Sequence, residues 1–308
     1  MSHNRTDGVA APSPPIHPGV VLALAVVGIS VAAPLVRLSQ APAVVVALWR
    51  LAFSLILVGV ALALSGQWRE WRTLRIIELV LATLAGVALA GHFWSWNASV
   101  HLTTIAASVT LVCLQPAIIV VISAVYLRER PTPRQLAGIV IALAGALLIT
   151  LPDLVRGPSD GAGPPNPLLG NLLALLGALL ASIYYVIGRR VRAHLGIWSY
   201  VGIAYTACFA SLLVAAFVTR SPILPQPSHE LLIFAGLAVG PMLLGHTGMN
   251  WALRYRPAYV VSLTVLAEPL GASLIAAALP LIAETPPGTT IAGGAIVLAG
   301  LALALTRP

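Results

Sequence analysis

The chain contains no lysine, only two cysteines and only three aspartates, and charged residues of either sign make up 8% of its 308 positions. Without lysine there is no Walker phosphate-binding loop, so the chain does not power itself with ATP. The aspartates, Asp7, Asp153 and Asp160, lie in the tail and in a stretch rich in proline and glycine, so no buried set of serine, histidine and aspartate is apparent, and no His-Glu-x-x-His run is present. A hydrolase triad and a zinc-peptidase site are therefore poor fits. Cys113 and Cys208 have neither disulfide-framework nor metal-knuckle spacing, so no metal, cofactor or catalytic residue is expected.

What is abundant is apolar surface: 59% of residues are hydrophobic and the mean hydropathy is +0.96. Too few polar residues remain to cover a core in water. The apolar runs suit roughly 30 Å of hydrocarbon, which takes about 20 helical residues. Ten such segments are expected, at 19–37, 43–65, 76–98, 103–126, 134–151, 168–188, 198–218, 231–252, 258–280 and 288–306. The lipid bilayer is thus the first partner of an all-α membrane protein. Residues 1–18, with four prolines, read as a disordered tail, and 152–167 as a Pro/Gly-rich linker.

The linker separates two copies of one unit. Glu129, Pro131, Gly138 and Gly145 recur as Glu284, Pro286, Gly293 and Gly300, while Asn97, Gln115 and Pro116 recur as Asn250, Glu268 and Pro269. The repeats are 19–151 and 168–308, with five spans each. Because the first span has a counterpart after the linker, it is a membrane helix and not a cleaved signal. An odd number of crossings turns the second copy upside down, so ten helices form two inverted five-helix repeats, an arrangement whose solute site lies near mid-bilayer between the halves.

With the N-terminus in the cytoplasm, thirteen arginines fall inside and three outside (Arg37, Arg156 and Arg220), Arg50 lying within a helix. This bias puts both termini in the cytoplasm of a bacterial inner (plasma) membrane. It also accounts for the net charge of +8, leaving no case for nucleic acid.

Arg50 in Leu48-Trp-Arg-Leu51, the stretch from Pro116 to Pro131, Leu266-Ala-Glu-Pro-Leu270 and the Gly-rich fifth and tenth helices resemble the drug/metabolite transporter superfamily, and within it the ten-helix EamA family. The resemblance implies a secondary transporter, most often an exporter of amino acids, related metabolites or toxic compounds.

Polar residues inside the spans are few. Glu268 lies about 15 Å into the ninth helix, where a charge costs roughly 2.5–3.5 kcal/mol on insertion scales. It either exchanges a proton during transport or hydrogen-bonds a carbonyl opened by Pro269. Arg50 either holds a carboxylate, of a solute or of Glu268, or clamps backbone carbonyls at a helix junction; its fixed fork of donors favours the clamp. His92, Trp96 and Asn97 in the third helix and His246 and Asn250 in the eighth form a duplicated polar and aromatic set, suited to a small zwitterionic or aromatic solute. The alternative puts Trp94 and Trp96 in an interfacial belt and has the asparagines bonding across helices. Ser108 and Gln115 in the fourth helix and Tyr185 in the sixth complete the candidate lining, although hydroxyls in such helices more often bond their own backbone.

Gly138, Ala142, Gly145, Gly293 and Gly300 read as a close-packing seam between helices, or between subunits of a homodimer. Glu129 and Glu284 read as helix-end caps. The expected activity is export of amino acids or related small metabolites, with proton coupling at Glu268. An uncoupled facilitator or exchanger is the alternative, and a scaffold or sensor with a dry, leucine-filled centre is the rival outside transport.

Overall fold

The computed structural model describes residues 14–122, 126, 131–156, 165–282 and 288–305. Among them there is no strand. Helices α1 (Pro18–Ser30) and α2 (Ala32–Leu38) form one nearly continuous rod, followed by α3 (Ala43–Ser65), α4 (Ile76–Leu102), α5 (Ile105–Val112), α6 (Gln115–Ile122) and α7 (Pro133–Arg156). After the linker come α8 (Pro167–Arg192), α9 (Ile197–Val218), α10 (Ser228–Leu237), a π-helical stretch Ala238–Thr247, α11 (Gly248–Ala252), α12 (Ala258–Thr264), a 3₁₀ turn Val265–Ala267, α13 (Glu268–Ala278) and α14 (Gly288–Leu305).

Seven helical segments are long and apolar enough to cross a membrane: Pro18–Leu38, Ala43–Ser65, Ile76–Leu102, Pro167–Arg192, Ile197–Val218, Ser228–Ala252 and Ala258–Ala278. The three remaining expected spans correspond to shorter apolar helical stretches, Ile105–Val120, Pro133–Gly145 and Ile291–Ala304. The protein is therefore a multi-pass helical membrane protein. Glu129 and Glu284 lie outside the described residues.

The ends of these helices follow local chemistry. Gly66 takes the left-handed conformation at φ 67° that terminates α3. Thr104 and Asn166 accept from backbone N–H groups in the first turns of α5 and α8. The last carbonyls of α4, which have no partner within the helix, are gripped by Arg37: Val100 O at 2.7 Å and Thr103 O at 2.8 Å. Arg189 does the same after α11, donating to Leu253 O at 2.6 Å, and Arg192 donates to Asn250 O at 3.1 Å. Acids hold the opposite ends. Glu230 accepts from Ser39 Oγ and Gln40 N, both at 2.6 Å, and Glu70 accepts from Gly196 N at 2.8 Å.

The glycine seam lies within the chain, where α7 and α14 run antiparallel. A Cβ at Gly138 would stand 2.7 Å from Gly300 O, and one at Gly145 the same distance from Gly293 O. Each glycine thus meets the repeat counterpart of the other. Helix α4 packs on α8 and α9, and α1 packs on the π segment, so the centre of the bundle is built between the two halves. Replacing Gly145 with leucine should cost about 1–3 kcal/mol through overpacking, read as a lower unfolding midpoint in detergent. Gly59→Leu, whose Cβ meets nothing within 4 Å, should leave that midpoint unchanged or raise it.

Candidate functional site

Three interruptions of helical hydrogen bonding converge at the centre. The fourth segment breaks between α5 and α6, just before Gln115-Pro116, and the ninth passes through the 3₁₀ turn just before Glu268-Pro269. Cys113 Sγ donates to Val265 O at 3.3 Å, so the two breaks cross each other. In the eighth segment Pro241 stands inside the helix, and the ladder widens to π over Ala238–Thr247. Proline supplies no N–H and crowds the preceding turn, which is the local cause of such widening.

These breaks surround a cavity of about 390 Å³, of which about 30 Å³ is free for the centres of water molecules. Arg50, His92, Trp96, Gln115, Tyr185, His246 and Glu268 line it, together with Phe93, Met249 and Pro241. None of the seven is more than 8% exposed, so the chamber is closed. Its described lining contains no leucine, unlike the dry centre expected of a scaffold.

The walls are aromatic. His92 and Trp96 stack with centroids 6.3 Å apart, Tyr185 and His246 stack at 6.4 Å, and the two histidine rings meet edge-on at 6.0 Å. The Arg50 guanidinium lies 4.1 Å over the centroid of Phe93, a favourable cation–π position. Trp96 therefore belongs to the interior, while its neighbour Trp94 is 43% exposed on the outer surface.

Arg50 corrects the clamp expectation. Its Nε and Nη1 are buried with no hydrogen-bond partner, and carbonyl clamping is carried out by Arg37, Arg189 and Arg192 instead. Arg50 and Glu268 attract each other electrostatically without forming an ion pair within 4 Å. Nor does the Glu268 carboxyl hydrogen-bond a carbonyl opened by Pro269 among the described residues. Trp96 Nε1, Gln115 Oε1 and His246 Nδ1 are likewise buried and unpartnered. Buried polar atoms in folded proteins are nearly always paired, so these atoms leave unused hydrogen-bonding capacity gathered around one cavity.

Three expected lining residues do not border the cavity. Ser108 Oγ accepts from Ser99 Oγ at 2.8 Å, and Asn97 Nδ2 donates to Ala43 O at 3.2 Å. Asn250 Nδ2 donates to Tyr184 Oη at 2.5 Å and to His246 O at 2.6 Å. They join helices, as polar residues in apolar surroundings commonly do. Tyr185 lines the cavity but spends its hydroxyl on Met249 Sδ, 3.0 Å away. Sequence reasoning missed Phe93, four residues before Asn97 on the third helix; Met249 was readable from its i+3 spacing to His246.

A closed, polar-lined cavity between two halves of a membrane bundle defines a membrane carrier, and the comparisons agree. The EamA-like transporter family model matches residues 17–151 and 168–306, so this chain belongs to the EamA-like transporter family. A probable terminal-alkyne amino-acid exporter of Streptantibioticus cattleyicolor is 26% identical over 263 residues, covering 81% of this chain and 80% of that protein. An uncharacterized transporter of Archaeoglobus fulgidus is 26% identical over 217 residues, covering 68% and 70%. A solved crystal structure superimposes with a TM-score of 0.71 at 21% identity, covering 94% of this chain and 96% of the other, which shows a shared fold.

Asn250→Ala should lower stability by about 1–3 kcal/mol, because it removes two buried hydrogen bonds, to the Tyr184 hydroxyl and to His246 O. Glu268→Gln, which preserves shape and breaks no hydrogen bond, should leave the unfolding midpoint close to that of the parent protein.

Proposed function

We propose that this protein is a secondary transporter exporting amino acids or related small metabolites, with ten membrane helices arranged as two inverted five-helix repeats. Its termini lie in the cytoplasm, and the membrane is the bacterial plasma membrane. Two observations support the inverted arrangement. The antiparallel glycine seam pairs each residue with the counterpart of its partner, as a two-fold relation between the halves requires. The Arg37 grip on Val100 and the Arg189 grip on Leu253 repeat one contact in each half. The arginine bias toward one side supports the orientation.

The observation that carries the cargo assignment is the joint presence in one closed, aromatic-walled cavity of an unpartnered guanidinium, Arg50, and an unpaired carboxyl, Glu268. An α-amino acid offers a carboxylate to the first and an ammonium to the second. Its side chain is then left against Phe93, Trp96 and Tyr185. His92, Gln115 and His246 supply orienting hydrogen bonds, while Asn97, Ser108 and Asn250 hold the wall in place. The resemblance to an amino-acid exporter points the same way.

Glu268 is the coupling residue in this reading: a carboxyl that meets the cargo ammonium in one step and a proton in another makes the two alternate. In everted membrane vesicles with an acidified lumen, labelled amino acids should accumulate, and a protonophore should abolish the accumulation. Glu268→Gln should make the rate indifferent to the pH gradient, and Arg50→Gln should reduce uptake at least tenfold. A parent rate that ignores pH and matches that of Glu268→Gln would establish the uncoupled facilitator instead.

A further inference from the structure

Away from the central cavity, a second hollow of about 410 Å³ runs between α1 and α12, which come from opposite halves of the chain. Gly19, Leu22, Ala23 and Val26 form its α1 wall at helical i, i+3, i+4 and i+7 spacing, and Val260, Thr264 and Ala267 form the opposite wall. The groove extends about 10 Å along α1. The small side chains at Gly19, Ala23 and Ala267 hold it open. On the neighbouring face of α1, Val20, Leu24 and Val27 are 53–65% exposed, so an apolar chain reaches the groove sideways from the hydrocarbon.

One end differs chemically from the rest. His17 and Arg256 stand there, where α1 begins and the loop after α11 ends. His17 Nδ1 accepts from Gly19 N at 3.2 Å, which leaves Nε2 to face outward. The Arg256 guanidinium is partly exposed and makes no hydrogen bond among the described residues. The lining holds no aspartate or glutamate, so nothing there would pair with the ammonium of an amino acid.

We propose that this groove is a binding site for an anionic phospholipid, its phosphate at Arg256 and His17 and one acyl chain along the α1–α12 walls. A basic group at the membrane surface and an apolar slot leading inward match the two parts of such a molecule in order and position. The site bridges the two halves, so an occupying lipid would stabilise their contact.

The test uses the full chain purified in detergent, titrated with phosphatidylglycerol, with phosphatidylcholine and with glycerol 3-phosphate. Thermal unfolding and native mass spectrometry are the readouts. Phosphatidylglycerol should raise the unfolding midpoint in a concentration-dependent way and be retained as a bound lipid, phosphatidylcholine much less so and glycerol 3-phosphate not at all. Arg256→Gln should raise the phosphatidylglycerol concentration needed by roughly fivefold. Ala23→Phe, at an exposed position, should fill the slot and remove the response. Equal responses to the two lipids, a full response to glycerol 3-phosphate, or an unaltered response in Arg256→Gln would overturn the assignment. So would Ala23→Phe abolishing amino-acid transport while lipid retention stays at the parent level, because the groove would then serve the cargo.

Discussion

Inside a bilayer every backbone N–H and C=O must find a partner within the protein, because hydrocarbon offers none and each orphan costs several kcal/mol. A chain under that constraint interrupts its helices only where protein or a polar chamber can receive the freed groups. Here the α5–α6 break, the 3₁₀ turn before α13 and the π stretch around Pro241 all border one cavity. At the 3₁₀ turn Val265 O accepts the Glu268 N–H and takes the Cys113 thiol as well. The residues following the first two breaks, Gln115 and Glu268, are those whose side chains enter the chamber. Broken helices and polar lining are thus one feature, dictated by where the ladder can be opened.

The same constraint sorts the arginines. Arg37, Arg189 and Arg192 sit at helix ends, where carbonyls without helical partners need donors, and each is spent on them. Arg50 sits mid-helix, where α3 satisfies its own carbonyls, so its fork has no such work. Buried at 1% exposure above the Phe93 ring, it leaves Nε and Nη1 without a protein partner beside the cavity. Its position in the helix, more than its residue type, separates it from the other three.

Position along the chain was readable from composition and repetition. The run Ala43–Ser65 needs only length and apolarity to be recognised, and the histidine shared ahead of Asn97 and Asn250 pointed to the two helices whose His92 and His246 rings meet across the chamber. Seven of the ten expected lining or charged residues meet there because a polar side chain in lipid has few other places to go. What could not be read was which polar group faces the cavity and which faces a neighbour. Asn97 and Asn250 each follow a lining residue, Trp96 and Met249, yet the rotation of about 100° from one helical residue to the next sends their amides to Ala43 O and Tyr184. The π stretch was hidden for a similar reason: Pro241 announces a disturbance, but whether a helix kinks or widens depends on the packing of α1 against it. Arg50 was misjudged because the carbonyls it was expected to grip lie at helix ends elsewhere.

Duplication alone would give both halves the same residue before the proline, but one carries Gln115 and the other Glu268. A symmetric pair of carboxylates in this chamber would face a single guanidinium and leave one negative charge uncompensated at mid-membrane, an expensive arrangement. An amide at Gln115 keeps hydrogen-bonding capacity without that charge. Arg50 and Glu268 then give a chamber whose formal charges cancel and whose two poles come from different halves. In the transport cycle proposed above, rocking of the halves would change the separation of those poles, and with it the fit to a solute carrying both charges. An identically charged pair of repeats would lack that polarity, so under the proposed function the loss of symmetry at this one position suits a two-fold scaffold to a cargo that has no two-fold axis.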